Sequence, residues 1–479
     1  MPPSRRSLIS GTAATLAFAG FSRLARAQAS NAEVQASAYV DEVPGYGPLR
    51  TDPRGLFDLP EGFDYTVVSR AGELMSDGLV TPWKIDGMGC FPLGGDRVAL
   101  VRNHELSVGD LDHGAYGVSH GLADRIDAAR IYDRHSSGRG LPGGTTTLVY
   151  DLRRRRLEGS WLSLAGTLVN CAGGATPWGS WISCEEVSPA PGAAGNVGKS
   201  HGWTFEVPSA ARGPVEPVPL TAMGRFRHEA VAVDPRTGVI YLTEDEGDGR
   251  GLFYRFLPND RTAPAKGGRL QALGFRDSPQ GGDGRNWERV DWAPGQVRET
   301  AWIDLDGVDN TDGTLRERGH AAGAAWFARG EGVHFGEGAI YFACTSGGPD
   351  KFGQIMRYRP SPREGQAGEA DAPGRLQLFV QSADKAVMDM CDNIAVSPWG
   401  HLFVCEDKVG GVNFLKAVTP EGKVYTFGRQ AQPGVTDVKA NSELAGVCFS
   451  PDGSTLFVNV YWPGMTLAIT GPWARLRAA

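Results

Sequence analysis

One cysteine and a set of acids recur at matching places along the chain. Asp86, Cys171, Glu229, Glu331, Asp392 and Glu443 each open a stretch that passes through a Pro/Gly turn into an apolar strand. About fifteen positions later each stretch returns to polar groups: Asn103-His104-Glu105, Glu185-Glu186, Glu244-Asp245-Glu246, Thr345-Ser346, Glu406-Asp407 and Asn459. Carboxylates gathered in one confined place repel one another and raise one another's pKa unless cations neutralise them. Oxygen-rich sets favour hard ions such as calcium or ferric iron, whereas a thiolate asks for a softer or transition metal, so this mixture fits a mixed cluster. A single acid at a strand end is ordinarily a solvated rim residue that discourages edge pairing. Five acids in one register, with cysteine in the sixth place, point instead to a shared metal centre.

Such a centre needs elements that bring six distant segments to one axis. The six stretches share a grammar: a short alternating strand, a turn built on Pro-x-Gly, Gly-Gly or Gly-Glu-Gly, and a second strand rich in β-branched and aromatic residues. That is the signature of a hairpin. Copies spaced about 50 to 100 residues apart suit four-stranded blades with variable outer loops, so the expected fold is all-β, a six-bladed β-propeller with a central metal site. The stretch 263–298, rich in Gly, Asp and Trp, reads as a long excursion between the third and fourth repeats.

Composition agrees. Glycine, at 66 of 479 residues, is about twice its usual share, and 31 prolines with 9% aromatics describe a turn-rich packed protein. The N-terminus reads as an address: Arg5-Arg6, an apolar run from Gly11 to Phe21, and a small-x-small cleavage site at Ala25-Arg26-Ala27. Residues 1–27 are therefore expected to be a twin-arginine signal peptide read by the twin-arginine export machinery. Residues 28–479 are expected to form one β-propeller domain with an N-terminal extension, in the periplasm or secreted. No other run is long and apolar enough for a membrane span, so no stable membrane insertion is expected. Loss of residues 1–27 takes the formal charge from −7 to −11, a balance that argues against a nucleic-acid partner. The seven cysteines are scattered, odd in number and without a CxxC pair, which disfavours zinc-finger and thioredoxin chemistry.

The stretches FPLGGDRVALVRNHE, NCAGGATPWGSWISCEE, RHEAVAVDPRTGVIYLTEDEGDGRGLFYRFLP, CDNIAVSPWGHLFVCED and ELAGVCFSPDGSTLFVNVYWPG together resemble the PhoX family of secreted alkaline phosphatases. The resemblance implies a six-bladed propeller around iron (Fe3+) and calcium ions, acting on small phosphate esters, with a metal-held oxo or hydroxide as nucleophile. It gives Cys171 as the iron thiolate and Glu105, Glu185, Glu229, Glu244, Glu331, Asp392, Glu406 and Glu443 as the other metal ligands. Arg102 and Arg329 are candidates for gripping phosphate oxygens, as are Arg227 and Lys408, while His104 and His228 are candidates for proton transfer or ligand support. Two rival readings are a calcium-dependent propeller esterase or lactonase, which would have no use for a thiolate, and a catalytically weak metal-loaded binding propeller.

Overall fold

The computed structural model describes residues 39–192, 196–408, 411–431 and 442–476. The expected signal peptide and most of the N-terminal extension lie outside the described residues. The chain is all-β and propeller-like, with one α-helix among the described residues, Leu315–Ala321.

Six antiparallel hairpins follow the repeats. They pair Ile85–Pro92 with Arg97–His104, Asn170–Ala175 with Ser180–Glu185, His228–Val233 with Ile240–Glu244, Gly330–Gly336 with Ala339–Cys344, Cys391–Val396 with Leu402–Glu406, and Leu444–Phe449 with Thr455–Val460. Their turns need a residue with positive φ, as at Gly238 (φ +75°), where an L side chain would be strained. The first strand of each hairpin packs against the first strand of the next, and the sixth returns to the first, closing a ring. All six line an axial channel of about 450 Å³. Backbones come so close there that a Cβ on Gly87 would lie 2.5 Å from the Cα of Ala172.

The outer strands depart from the expected six separate blades. Hydrogen bonding groups the described strands into five sheets. The strand Val297–Asp304 bonds through its second half to Gly268–Phe275 and through its first three residues to Arg375–Gln381, fusing the sheets of the third and fourth hairpins. Within 263–298 the strand Gly268–Phe275 belongs to the third sheet, while 276–296 run as turns and irregular chain before the bridge begins, so the excursion between the third and fourth hairpins is shorter than expected. The sixth hairpin is completed by Met465–Thr470 and by Asp64–Arg70, so strands from both ends of the chain share one sheet.

Between neighbouring sheets lie the apolar cores that fix the ring's spacing. One packs Phe403, Tyr425 and Phe427 against Leu456, Leu467 and Trp473, and another stacks Phe253 on Phe342 with ring centroids 4.0 Å apart. Burial of this kind is worth about 25 cal/mol per Å² of apolar surface and holds the inner strands in place for the site at their ends.

Candidate metal centre

Each inner strand carries a β-bulge near its start. Pairing slips after Ile85/His104, Asn170/Glu185, His228/Glu244, Gly330/Cys344 and Cys391/Glu406, so two residues there oppose one. The first residues of these bulges are Asp86, Cys171, Glu229, Glu331 and Asp392. A bulge re-aims a side chain out of the strand's alternation, and here it turns five metal-capable groups towards one another. The sixth hairpin differs. Its slip comes at Ala445/Asn459, which puts Gly446 in the bulge, and Glu443 enters from the segment just before the strand. Glu443 is thus out of the register that the repeat suggested.

Three sets of ligand atoms lie within 4.8 Å of one another: Glu105, Cys171 and Glu186; Asp86, Glu105 and Glu443; and Glu229, Glu331 and Asp392. Glu105 joins the first two sets, and Cys171 Sγ lies 3.6 Å from Asp86 Oδ2. Asp245 and Asp407 stand at the border of this group, close enough that Asp245 raises the pKa of Glu331 and Asp407 raises those of Asp392 and Glu443.

Three expected ligands are not part of this assembly. Glu185, Glu244 and Glu406 are the last residues of their strands, and successive residues of a strand point to opposite sides. Their carboxylates turn back into their own sheets. Glu185 accepts from the backbone N–H of Leu168, Gly202 and Trp203, Glu244 from Leu252 N–H and the Tyr254 hydroxyl, and Glu406 from Asp389 and Phe414 N–H and from Lys408 Nζ. The next residue in each case, Glu186, Asp245 or Asp407, faces the centre instead. Exchanging the two neighbours should therefore give opposite results. Glu185→Gln is expected to cost roughly 3 kcal/mol of stability with metal content unchanged. Glu186→Gln is expected to lower metal content and leave the metal-free protein's melting temperature unchanged or raised; metal analysis and thermal melts of the pair decide it.

Glu185 also anchors a buried cation. His201 bonds Glu185 through Nδ1 at 2.6 Å and Asp133 through Nε2 at 3.1 Å. Burial pulls the imidazole down, but Glu185 and Asp133 overcome it and push it up to about 9. A group raised in the folded state stabilises fully below its ordinary value of 6.5 and loses that contribution as pH rises through 9. The loss is on the order of 3 kcal/mol, and His201→Gln should flatten this part of the pH–stability curve measured by calorimetry.

The family model for alkaline phosphatase PhoX matches residues 44–464. The chain belongs to the PhoX family. Pseudomonas fluorescens PhoX, solved in complex with vanadate, a transition state analogue, superposes with a TM-score of 0.65 at 19% identity, covering 91% of this chain and 98% of that one. A Bacteroides thetaiotaomicron protein of unknown function follows at 0.41, with 9% identity over 85% and 76% of the two chains. A Xanthomonas campestris gluconolactonase follows at 0.32, with 14% identity over 85% and 100%. No curated protein sequence matches. The likeness to Pseudomonas fluorescens PhoX is one of fold.

In this PhoX-family chain the candidate cations and histidines separate sharply. Arg329 is at the centre, with Nε and Nη2 on the two oxygens of Asp245 at 2.9 and 2.6 Å and Nη2 also 3.1 Å from Glu331. Arg227 pairs with Glu186. Lys408 lies 2.8 Å from Glu406, on the sheet side. Arg102 is fully buried away from the acids, its Nη1 pinned by Ser69 and Thr466 hydroxyls at 2.7 and 2.8 Å, and burial lowers its pKa to about 9. It ties the first sheet to the sixth and has no route to substrate. His104 spans Trp83 O and Thr146 Oγ1, and His228 bonds Gly224 O and stacks on Phe226. Burial holds both imidazoles below their ordinary value, His228 at about 3, so both serve as neutral braces.

Several oxygens of this donor set have no hydrogen-bond partner among the described residues, as atoms that hold a metal would. Glu229 is fully buried, and neither carboxylate oxygen has a hydrogen-bond partner among the described residues; the same holds for Asp86 Oδ1. Burial and the acids around them push Glu229, Asp86 and Glu331 well above the usual carboxylate range, and burial with Asp86 and Glu229 does the same to the Cys171 thiol. An ionised carboxylate without a donor is costly to bury, and a cation removes that cost. The PhoX-family site fits metal ions.

Proposed function

We propose that this protein is an exported metal-dependent phosphomonoester hydrolase. The observation that carries the reading is Glu229, a buried carboxylate without a donor, set among eight other acids and one thiol in a PhoX-family chain. We count the ring as six blades, with Val297–Asp304 as a bridge between the third and fourth, in a single domain that follows a signal peptide at 1–27. That address puts the enzyme in the periplasm or outside the cell, and no helix among the described residues is long and apolar enough to cross a membrane.

The ligand set we propose is Asp86, Glu105, Cys171, Glu186, Glu229, Glu331, Asp392 and Glu443. Cys171 with Glu105 and Glu186 suits iron, because a thiolate favours a transition metal, while the all-carboxylate set Glu229, Glu331 and Asp392 suits calcium. Bound ions supply Lewis acidity towards phosphoryl oxygens and lower the pKa of water.

The chain's own groups complete the site. Arg329 is fixed bidentately on Asp245 with about a quarter of its side chain exposed, which leaves its open edge for a phosphoryl oxygen. Arg227, about a third exposed, is placed to do the same from Glu186. Tyr461 donates its phenol proton to Glu105; burial and the charges of Glu105 and Glu443 keep that proton on Oη, so Tyr461 acts as a donor at this edge. The vanadate complex of Pseudomonas fluorescens PhoX supports phosphoryl transfer as the reaction.

Metal analysis of the exported protein, paired with phosphate release from a chromogenic monoester, tests the reading. Iron and calcium together with phosphate release support it. Calcium alone, with lactone hydrolysis and no phosphate release, overturns it.

A further inference from the structure

Three aromatic rings stand together beside the Glu105 edge of the centre, and the phosphatase function gives them no role. Tyr461 touches Glu105, and the next residue is Trp462. On the neighbouring segment, Lys84 O accepts from Glu105 N–H, and the residue before it is Trp83. The two indoles meet with centroids 4.7 Å apart and planes 32° from parallel. The His113 ring stands edge-on to both, at 5.7 Å from Trp83 and 6.4 Å from Trp462.

This group is partly open to solvent and firmly held. Trp83 and Trp462 are both partly exposed, and the His113 side chain is 45% exposed. Trp83 N–H donates to His113 O at 3.1 Å, and Trp83 O bonds the buried ring of His104 at 3.1 Å. Lys84 Nζ bonds Asp110 at 2.9 Å, and Asp110 O accepts from His113 N–H at 2.8 Å, so the segment that carries His113 is tied to the bend that carries Trp83. His104, which sequence reasoning placed in catalysis, thus acts as a positioning residue for Trp83.

A fixed aromatic surface adjoining an anion-binding centre is what a flat apolar group needs when the charged end of the same molecule sits on the metal ions. We propose that Trp83, Trp462 and His113 form a leaving-group shelf that selects phosphomonoesters of planar aromatic alcohols. The inference rests on the phosphatase reading and adds its substrate class. Ring stacking of this kind gives about a tenfold gain in affinity for an aromatic ligand over an equivalent without the ring.

The test uses the metal-loaded protein and two non-hydrolysable ligands, phenylphosphonate and methylphosphonate, with binding measured by calorimetry and indole fluorescence. Wild-type protein is expected to bind phenylphosphonate about tenfold more tightly and to show fluorescence quenching with it alone. Trp462→Leu and Trp83→Leu should each reduce that preference below about threefold, with methylphosphonate affinity unchanged. Equal wild-type affinities, or a preference that survives in both variants, overturn the shelf while the phosphatase reading stands. Failure of both phosphonates to bind, with no phosphate release from any monoester, overturns the phosphatase reading and the shelf with it.

Discussion

Stripping the ions with a chelator is expected to abolish phosphate release and to make stability fall steeply between pH 5 and pH 8. Without cations, the buried acids must either carry protons or repel one another. Burial, then Glu105 and Asp245, push Glu186 up to about 8; burial, then Asp407, push Asp392 up to about 8 as well. These acids have ordinary values near 4 in the unfolded chain, so between about 4 and 8 the folded state holds protons that the unfolded state has released. Stability therefore falls as pH rises through that window, by an amount on the order of 5 kcal/mol per group. A folded domain has only about 5–15 kcal/mol to lose, so the chelated protein should be close to unfolding at pH 8. In the loaded protein the ions take the place of the protons and this slope should be absent, leaving the smaller decline from His201. Melting temperatures at pH 5 and pH 8, with and without chelator, measure the difference. Equal pH dependence in the two forms would sink the metal reading of the cluster.

Much of this site was legible in the sequence, and the part that was not has a definite physical cause. The alternating strands and Pro/Gly turns gave the six hairpins, and the recurrence of an acid or cysteine ahead of each gave Cys171, Glu229, Glu331 and Asp392, which the structure brings together. The returning ends offered doublets such as Glu185-Glu186, and composition does not say which member faces inward. That depends on where the last ladder pair falls, since one step along a strand reverses the side chain. A signal was present: Gly87, Ala172, Ala230 and Gly332 each follow an inward-facing bulge residue, because the crowded second place in the bulge excludes bulk. Counting pairs back from that place across the hairpin reaches Glu186 and Asp245; the fifth bulge carries Asn393 in that place, so Asp407 had no such signal. Arg102 and His228 misled because each adjoins a polar motif in sequence while its side chain turns away from the acids, Arg102 onto buried hydroxyls and His228 onto Phe226. The bridge Val297–Asp304 was not legible, since its partners lie on two different sheets and no local pattern marks a strand that joins them.

Replacing Cys171 by alanine should divide the cluster by metal type. The remaining oxygens of Glu105, Glu186, Asp86 and Glu443 still make a site for a hard ion, so calcium content should be nearly unchanged. The transition metal loses its sulfur ligand. Its content is expected to fall at least tenfold, with loss of any thiolate-to-metal absorption band, and phosphate release should drop about a thousandfold, equivalent to about 4 kcal/mol of transition-state stabilisation. Cys171→Ser keeps the size and polarity of the side chain and replaces only the sulfur. Its behaviour distinguishes a ligand from a packing residue. If the serine variant fails as the alanine variant does while both melt like wild type after chelation, the thiolate itself is required. If Cys171→Ala keeps its iron and more than a tenth of its activity, Cys171 is a half-buried thiol that merely lies 3.6 Å from Asp86, and the centre is an all-oxygen site of the kind a calcium-dependent esterase would use.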